Sequence, residues 1–365
     1  MTESQNMKVP VNVPLVGKEE IAEVTAILKA GALTTAAKNG GKNVQEFERL
    51  VCSFVKSKYA IAVNSGTAAL QAALYALDIK VGDEVLLPSF TFVATANSVI
   101  SVGAKPVFVD IRKDNYTMDP TDMAKKITKK TRAIMPVHLY GNVAYMDEIT
   151  EIAKKKNIPI IEDAAQSMGS TYKGKQTGNF SDLGCFSLYA AKVMTSGEGG
   201  VIVTSDKKLR DKLLMIRNHG MIQGYDTRIL GLNLRLPEIN AAIAKVQMKK
   251  LPGFLQKRQK NAKILSELLS GADVILPTPR KHEKVNWYLY TISSKIRDKI
   301  SKELNANDIG ATVYYGTPVH KTPYYNQKTK LPNTDWAAKT VLSLPVQPNV
   351  TRQNLETTAK IIKEL

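Results

Sequence analysis

The chain has 365 residues, 44% of them hydrophobic, two cysteines and a formal net charge of +18. That length leaves room for a large core and two domains, and Cys52 and Cys185 are too few and too far apart for a disulfide framework or a metal site, so a reducing cytoplasm and no metal are expected. No apolar run approaches the roughly 20 residues of a membrane span, and the polar opening Met-Thr-Glu-Ser-Gln-Asn is unlike a signal peptide, so no membrane partner is expected.

In chain order, apolar strands alternate with helical patterns from residue 60 to about 205, as a mostly parallel α/β sheet requires. Strands are expected at Glu84-Leu87, Pro106-Asp110, Ala133-Val137, Pro159-Glu162, Cys185-Leu188 and Val201-Thr204, with helices such as Ala144-Lys156 and Lys207-Arg217 between them. Residues 169–176, Gly-Ser-Thr-Tyr-Lys-Gly-Lys-Gln, almost spell an ATPase phosphate loop. Gln176 replaces the hydroxyl that would ligate magnesium, however, and the segment reads as a hairpin-like loop. A helix is expected to run to about Leu251, with Pro252 kinking or breaking it. This divides the chain into a large domain, 1–251, and a smaller α+β domain, 252–365, with strand-like Val285-Ile292 and Ala311-Tyr315 and a closing helix from Thr351 to Leu365. Segment 1–30 is expected to pack with the small domain or at the substrate entrance.

The lysine excess raises nucleic acid as a partner. Lys125-Lys126, Lys129-Lys130, Lys154-Lys155-Lys156, Lys207-Lys208 and Lys249-Lys250 read as short groups scattered over solvated helix faces, with acidic residues between many of them, so none is expected.

Three elements carry chemistry. A β-branched run breaks at Ser65-Gly66-Thr67 and enters an alanine- and leucine-rich helix; free N–H groups at a helix start bind phosphate, and Gly66 lets the ligand approach. A second apolar run, Pro159-Ile-Ile-Glu, ends in Asp163, with Gln166 three residues on, where strand ends of an α/β sheet face a ligand. In the third, Lys192 lies between the strand ending near Leu188 and the turn Gly197-Glu-Gly-Gly200. An amine attacks carbonyls at neutral pH only when burial or a nearby cation lowers its pKa of about 10.4, the demand of Schiff-base chemistry. Singly, these are a common helix cap, a common strand-end Asp and a common solvated lysine. Together they supply a phosphate cradle, a carboxylate for a ring nitrogen and a nucleophilic amine.

With these elements, Gly82-Asp-Glu-Val85, Pro88-Ser-Phe-Thr-Phe92, Pro136-Val-His-Leu-Tyr-Gly141, Gly231-Leu-Asn233-Leu-Arg235, Pro318-Val-His320 and Leu342-Ser-Leu-Pro345 make the chain resemble, over nearly its full length, the DegT/DnrJ/EryC1/StrS sugar aminotransferases. The resemblance implies the fold type I architecture of pyridoxal phosphate (PLP) enzymes: a large domain with a mostly parallel seven-stranded sheet between helices and a smaller C-terminal α+β domain. It implies Lys192 as the Schiff-base lysine and proton shuttle, Asp163 on the pyridinium, Gln166 on the phenolic oxygen and Phe92 over the ring. Gly66, Thr67 and Ser187 would hold the phosphate, joined by Asn233 from a partner subunit in a homodimer with shared active sites. Thr35, Tyr315 and His320 would lie on the substrate side. The implied reaction moves an amino group from glutamate, through pyridoxamine phosphate, to a nucleotide-linked keto-deoxysugar, with a 4-keto-6-deoxyhexose as the leading substrate. A 3-ketosugar or cyclitol ketone is the alternative within the family, and a non-catalytic regulator on the same fold the alternative outside it. Some relatives replace the lysine by histidine and dehydrate their sugars; Lys192 favours transamination.

Overall fold

The structure, a computed structural model, describes residues 8–365. Seven strands form the central layer: β1 (Tyr59–Val63), β2 (Glu84–Pro88), β3 (Lys105–Val109), β4 (Thr131–Ile134), β5 (Ile161–Asp163), β6 (Leu183–Ser187) and β7 (Gly200–Thr204). Their order is β3-β2-β4-β5-β6-β7-β1. Parallel ladders join β3, β2 and β4, and a second set joins β5 to β6 in parallel and β6-β7-β1 antiparallel. Between the sets, the parallel bridges Ile134–Ile160 and Val137–Asp163, with Ile134 N donating to Pro159 O (3.0 Å) and Asp163 N to Pro136 O (2.9 Å), make the layer continuous. Only β7 runs against the rest, as a mostly parallel seven-stranded sheet demands. Strands covered on both faces need apolar side chains at every position, which is why β2 (Glu-Val-Leu-Leu-Pro) and β7 (Gly-Val-Ile-Val-Thr) are buried end to end.

The helices α1 (Lys18–Ala30), α2 (Lys42–Val55), α3 (Gly66–Ala76), α4 (Val93–Ser101), α5 (Pro120–Lys126), α6 (Met146–Lys156) and α7 (Lys207–Arg217) precede α8, which spans Glu238–Leu268. The break expected at Pro252 is absent. Pro252 lies on an exposed face and leaves the carbonyl of Met248 without its helical donor, while Leu251 and Arg258 are buried on either side of it. The boundary expected between 251 and 252 thus falls inside a continuous helix.

The C-terminal part carries the two-stranded sheet β8 (Tyr290–Ser293) and β9 (Val341–Leu344), with α9 (Arg297–Ala306), α10 (Pro332–Thr340) and α11 (Arg352–Lys363). It has its own core, including Leu265, Trp287, Tyr290, Ile292, Leu304, Leu342 and Leu355. Two strand expectations shrink here. Trp287, at φ 53, interrupts Val285–Ile292, and Tyr315, at φ 65, ends Ala311–Tyr315, of which Thr312 alone pairs, with Ser343. Of segment 1–30, residues 1–7 lie outside the described residues. Val9 joins the C-terminal core and pairs with Ile309, and α1 packs on α8. Residues 171–172 and 175–176 form a hairpin turning through Lys173 and Gly174, both at positive φ.

Candidate active site

The C-terminal ends of β5 and β6, the start of α3 and the turn before β7 converge at one end of the sheet. Ser65 caps α3, its hydroxyl accepting from Ala68 N at 3.0 Å, so the first-turn N–H groups of Gly66 and Thr67 point outward without helical partners. A Cβ on Gly66 would lie 2.8 Å from Ser187 Cβ and 3.1 Å from its Oγ. The absent side chain therefore brings a helix start and a strand-end hydroxyl together as an anion cradle. Thr67 is exposed at its rim.

Asp163 is buried at the end of β5. Its Oδ2 accepts from Thr95 Oγ1 (2.8 Å), its Oδ1 from Ala165 N (3.2 Å), and Thr91 Oγ1 lies 2.9 Å from Thr95 Oγ1. Burial pushes the carboxyl pKa up, against the hydrogen bond from Thr95 and the nearby Lys192 ammonium. A cation delivered beside it would restore the charged form. Phe92, between the two threonines in sequence, is exposed at the start of α4, free to cover a flat ligand.

Burial likewise pulls Lys192 down to about 8, with the Asp163 carboxylate opposing. Its Nζ stands 4.7 Å from the centroid of the Tyr288 ring. At pH 7 about a tenth of such an amine is already uncharged and nucleophilic, against well under a thousandth at the ordinary lysine value of about 10.4.

Gln166 is oriented without ambiguity. Its Oε1 accepts from Tyr140 N (2.8 Å), which fixes the amide, and its Nε2 donates to Tyr315 Oη (2.8 Å), leaving one N–H for a ligand oxygen. Tyr140 and Tyr315 stack at 6.0 Å and both hold left-handed backbone, φ 61 and 65. Such strain persists only where the surroundings over-determine it.

Of the residues expected on the substrate side, Tyr315 joins this cluster through its hydrogen bond to Gln166. His320 is fully buried, its Nδ1 2.6 Å from Ser89 Oγ and its Nε2 without a partner among the described residues. With no exposed surface it touches no substrate in this conformation; burial also lowers its pKa. Thr35 accepts only from Ala37 N, in a loop held by Arg217 and Asn218 through the carbonyls of Lys38 and Ala36. The Asn233 side chain is exposed with no hydrogen bond among the described residues, although its carbonyl accepts from Asn64. Residues not singled out from sequence are Thr95, Tyr140 and Tyr288. Thr91 and Thr95 at one-turn spacing after the Pro88-Phe92 motif were the available signal; nothing local marks Tyr288, 96 positions from Lys192.

A half-buried amine with lowered pKa, a buried carboxylate with free acceptor capacity, an oriented amide N–H and a glycine-lined anion cradle fit the aldehyde, ring nitrogen, phenolic oxygen and phosphate of PLP. The sequence model of the DegT/DnrJ/EryC1/StrS aminotransferase family matches residues 14–363. The chain is 36% identical over 340 residues to the dTDP-3-amino-3,4,6-trideoxy-alpha-D-glucose transaminase of Streptomyces venezuelae, covering 92% of this chain and 90% of that one. It is 39% identical over 310 residues to the UDP-2-acetamido-2-deoxy-3-oxo-D-glucuronate aminotransferase of Pseudomonas aeruginosa (84% and 86% covered). The crystal structure of S. venezuelae DesV in complex with a ketimine intermediate superposes with a TM-score of 0.91 at 34% identity, over 97% of this chain and 98% of that one. Site chemistry, sequence and fold agree: the chain belongs to the DegT/DnrJ/EryC1/StrS aminotransferase family and is a PLP-dependent sugar aminotransferase.

Proposed function

We propose that this enzyme moves an amino group from glutamate to the C3 ketone of a nucleotide-linked sugar in the cytoplasm, using active sites completed between two copies of the chain. The observation that carries the ketone position is the chemistry in the relatives' names, a 3-amino sugar in one and a 3-oxo sugar in the other. This moves the ketone from C4, where the sequence reading put it. A shared site is supported by Asn233, exposed beside the cradle strands with no partner for its side chain among the described residues, and by exposed Ile222, Tyr225 and Leu230 just before it.

PLP, when bound, supplies an electron sink for the pair released when a proton leaves the carbon that bears nitrogen. The side chains do the rest. The first-turn N–H groups of Gly66 and Thr67, with the Ser187 hydroxyl, anchor the phosphate and so fix the ring's position. Asp163, held by Thr95, keeps the ring nitrogen protonated, and the remaining Gln166 N–H binds the phenolic oxygen. Lys192, neutral near its lowered pKa, binds the cofactor and, once released, carries the proton between the two reacting carbons. Tyr288 shields this amine from bulk water.

The test is an absorption titration of the PLP-loaded enzyme with glutamate, then with matched 3-keto and 4-keto nucleotide sugars. Restoration of the starting spectrum by the 3-keto sugar alone is the expected result. Restoration by the 4-keto sugar alone overturns the C3 assignment, and no response to glutamate overturns the donor.

A further inference from the structure

In a mostly parallel sheet, each connection that enters a strand arrives at the pole opposite the strand ends carrying Asp163 and Ser187. Because β7 runs in reverse, the turn that leaves it lies at that pole as well. Seven segments meet there: 56–58, 77–84, 102–105, 125–132, 154–160, 177–183 and 205–208. These 41 residues carry 14 lysines and arginines against five carboxylates, whereas the other 324 carry 37 against 28. Half of the net charge therefore sits on about a ninth of the chain. Four of the five lysine groups that look scattered along the sequence are gathered by the fold into one face; only Lys249-Lys250 lies elsewhere, on α8.

The five carboxylates are already engaged. Glu84 accepts from Thr128 Oγ1 (2.6 Å), Asp83 faces Arg132 (3.8 Å), Asp182 accepts from Ile160 N (2.9 Å), Asp206 caps α7 and Asp78 pairs with Lys212 (2.6 Å). Ten of the lysines, Lys129, Lys130, Lys154 and Lys156 among them, are exposed and have no ion-pair partner among the described residues. Lysines at helix C-termini complement the helix dipole, as those of α5 and α6 and the cap residue Lys56 of α2 do, but Lys58, Lys80, Lys207 and Lys208 are not at a helix C-terminus.

The chemistry of the face selects among polyanions. Its one arginine, Arg132, is turned to Asp83, and its one aromatic, Phe180, is half-buried, so it lacks both the guanidinium forks and the stacking platforms that nucleic acid recognition uses. It offers mobile point charges around Val81, an apolar side chain exposed at 81%. That combination fits a surface recognised by charge density alone. We propose that this pole, opposite the catalytic strand ends, docks the enzyme peripherally on an anionic lipid bilayer. No helix among the described residues is long and apolar enough to cross a membrane, so the attachment is electrostatic and reversible.

The test is cosedimentation of PLP-loaded enzyme with phosphatidylcholine vesicles and with vesicles that also contain phosphatidylserine, at low and high salt. Binding is expected only with phosphatidylserine and is lost at high salt. Each lysine at such a surface contributes about fivefold to partitioning, so the quadruple variant K129E/K130E/K154E/K156E should bind more than about a hundredfold less tightly. Its turnover should be unchanged, and its melting temperature should fall by no more than a few degrees, since Lys154 and Lys156 lie in the last turn of α6. A control, K295E/K299E/K302E/K363E, removes the same charge from the C-terminal part and should retain most binding. Failure of the parent enzyme to bind, or equal losses in the two variants, overturns the proposal. Duplex DNA displacing the enzyme from vesicles, with the pole variant unable to bind it, would assign the face to nucleic acid instead and also overturn it.

Discussion

Glu162 and Asp163 are neighbours on β5, point to opposite faces of one sheet, are both buried, and live in opposite regimes. Glu162 accepts from His138 Nε2 (2.8 Å), Gly178 N (2.7 Å), Phe180 N (2.7 Å) and Ser181 Oγ (2.8 Å). Because His138 Nδ1 accepts from Ala144 N (3.0 Å), the ring proton sits on Nε2 and the network is closed. Asp163 has two donors, and its pKa is raised. A saturated carboxylate can only hold structure together, whereas an unsaturated one keeps capacity for a ligand. The difference teaches that burial alone does not mark a functional acid; the count of its donors does.

The comparison is exposed to four measurements. Glu162→Ala orphans four donors, two buried and two half-buried, and should destabilise the fold by on the order of 4 kcal/mol, read as a lowered denaturant midpoint. A normal midpoint with lost turnover would invert the roles of the two acids. Asp163→Asn should do the reverse, lowering turnover by about a thousandfold while stability changes by less than about 1 kcal/mol. Thr95→Val should cost about tenfold in turnover, and Thr95→Ser should restore most of it; equal effects of both would mean that the hydroxyl is not what positions Asp163.

The smallest effect concerns Lys192 in the cofactor-free protein. Its folded pKa, about 8, is below the ordinary lysine value, so the cost of burying its charge is complete below about pH 8 and disappears as pH rises towards about 10.4. Lys192→Met should therefore stabilise the cofactor-free chain at pH 7 by about 1–2 kcal/mol, with the gain vanishing above the upper limit of that window. A gain independent of pH would place its origin in packing.

Sequence made the sheet and the three chemical elements legible because each depends on local pattern: apolar runs, a helix start rich in small residues, an acid at a strand end. Thr95, Tyr140 and Tyr288 were not legible, since their roles arise from tertiary approach over 68, 26 and 96 positions to Asp163, Gln166 and Lys192. For the same reason the motif of His320 gives its identity but not its burial behind Ser89. The gathering of the lysine groups at one pole was not legible because a linear chain does not show which helix ends share a pole.

The unbroken α8 has a mechanical meaning. At about 1.5 Å per residue it is a rod of roughly 46 Å. Its first half holds the N-terminal segment, Gln247 donating to Leu15 O and Glu20, and its second half holds the C-terminal part, Arg258 reaching Trp287 O and Tyr288 O. The peptide carrying Tyr288, the ring beside Lys192, is thus bolted to the same beam that braces the large sheet. The mouth of the site cannot gape by pivoting at residue 252 without snapping that beam, so substrates must come and go through movement of loops at its rim.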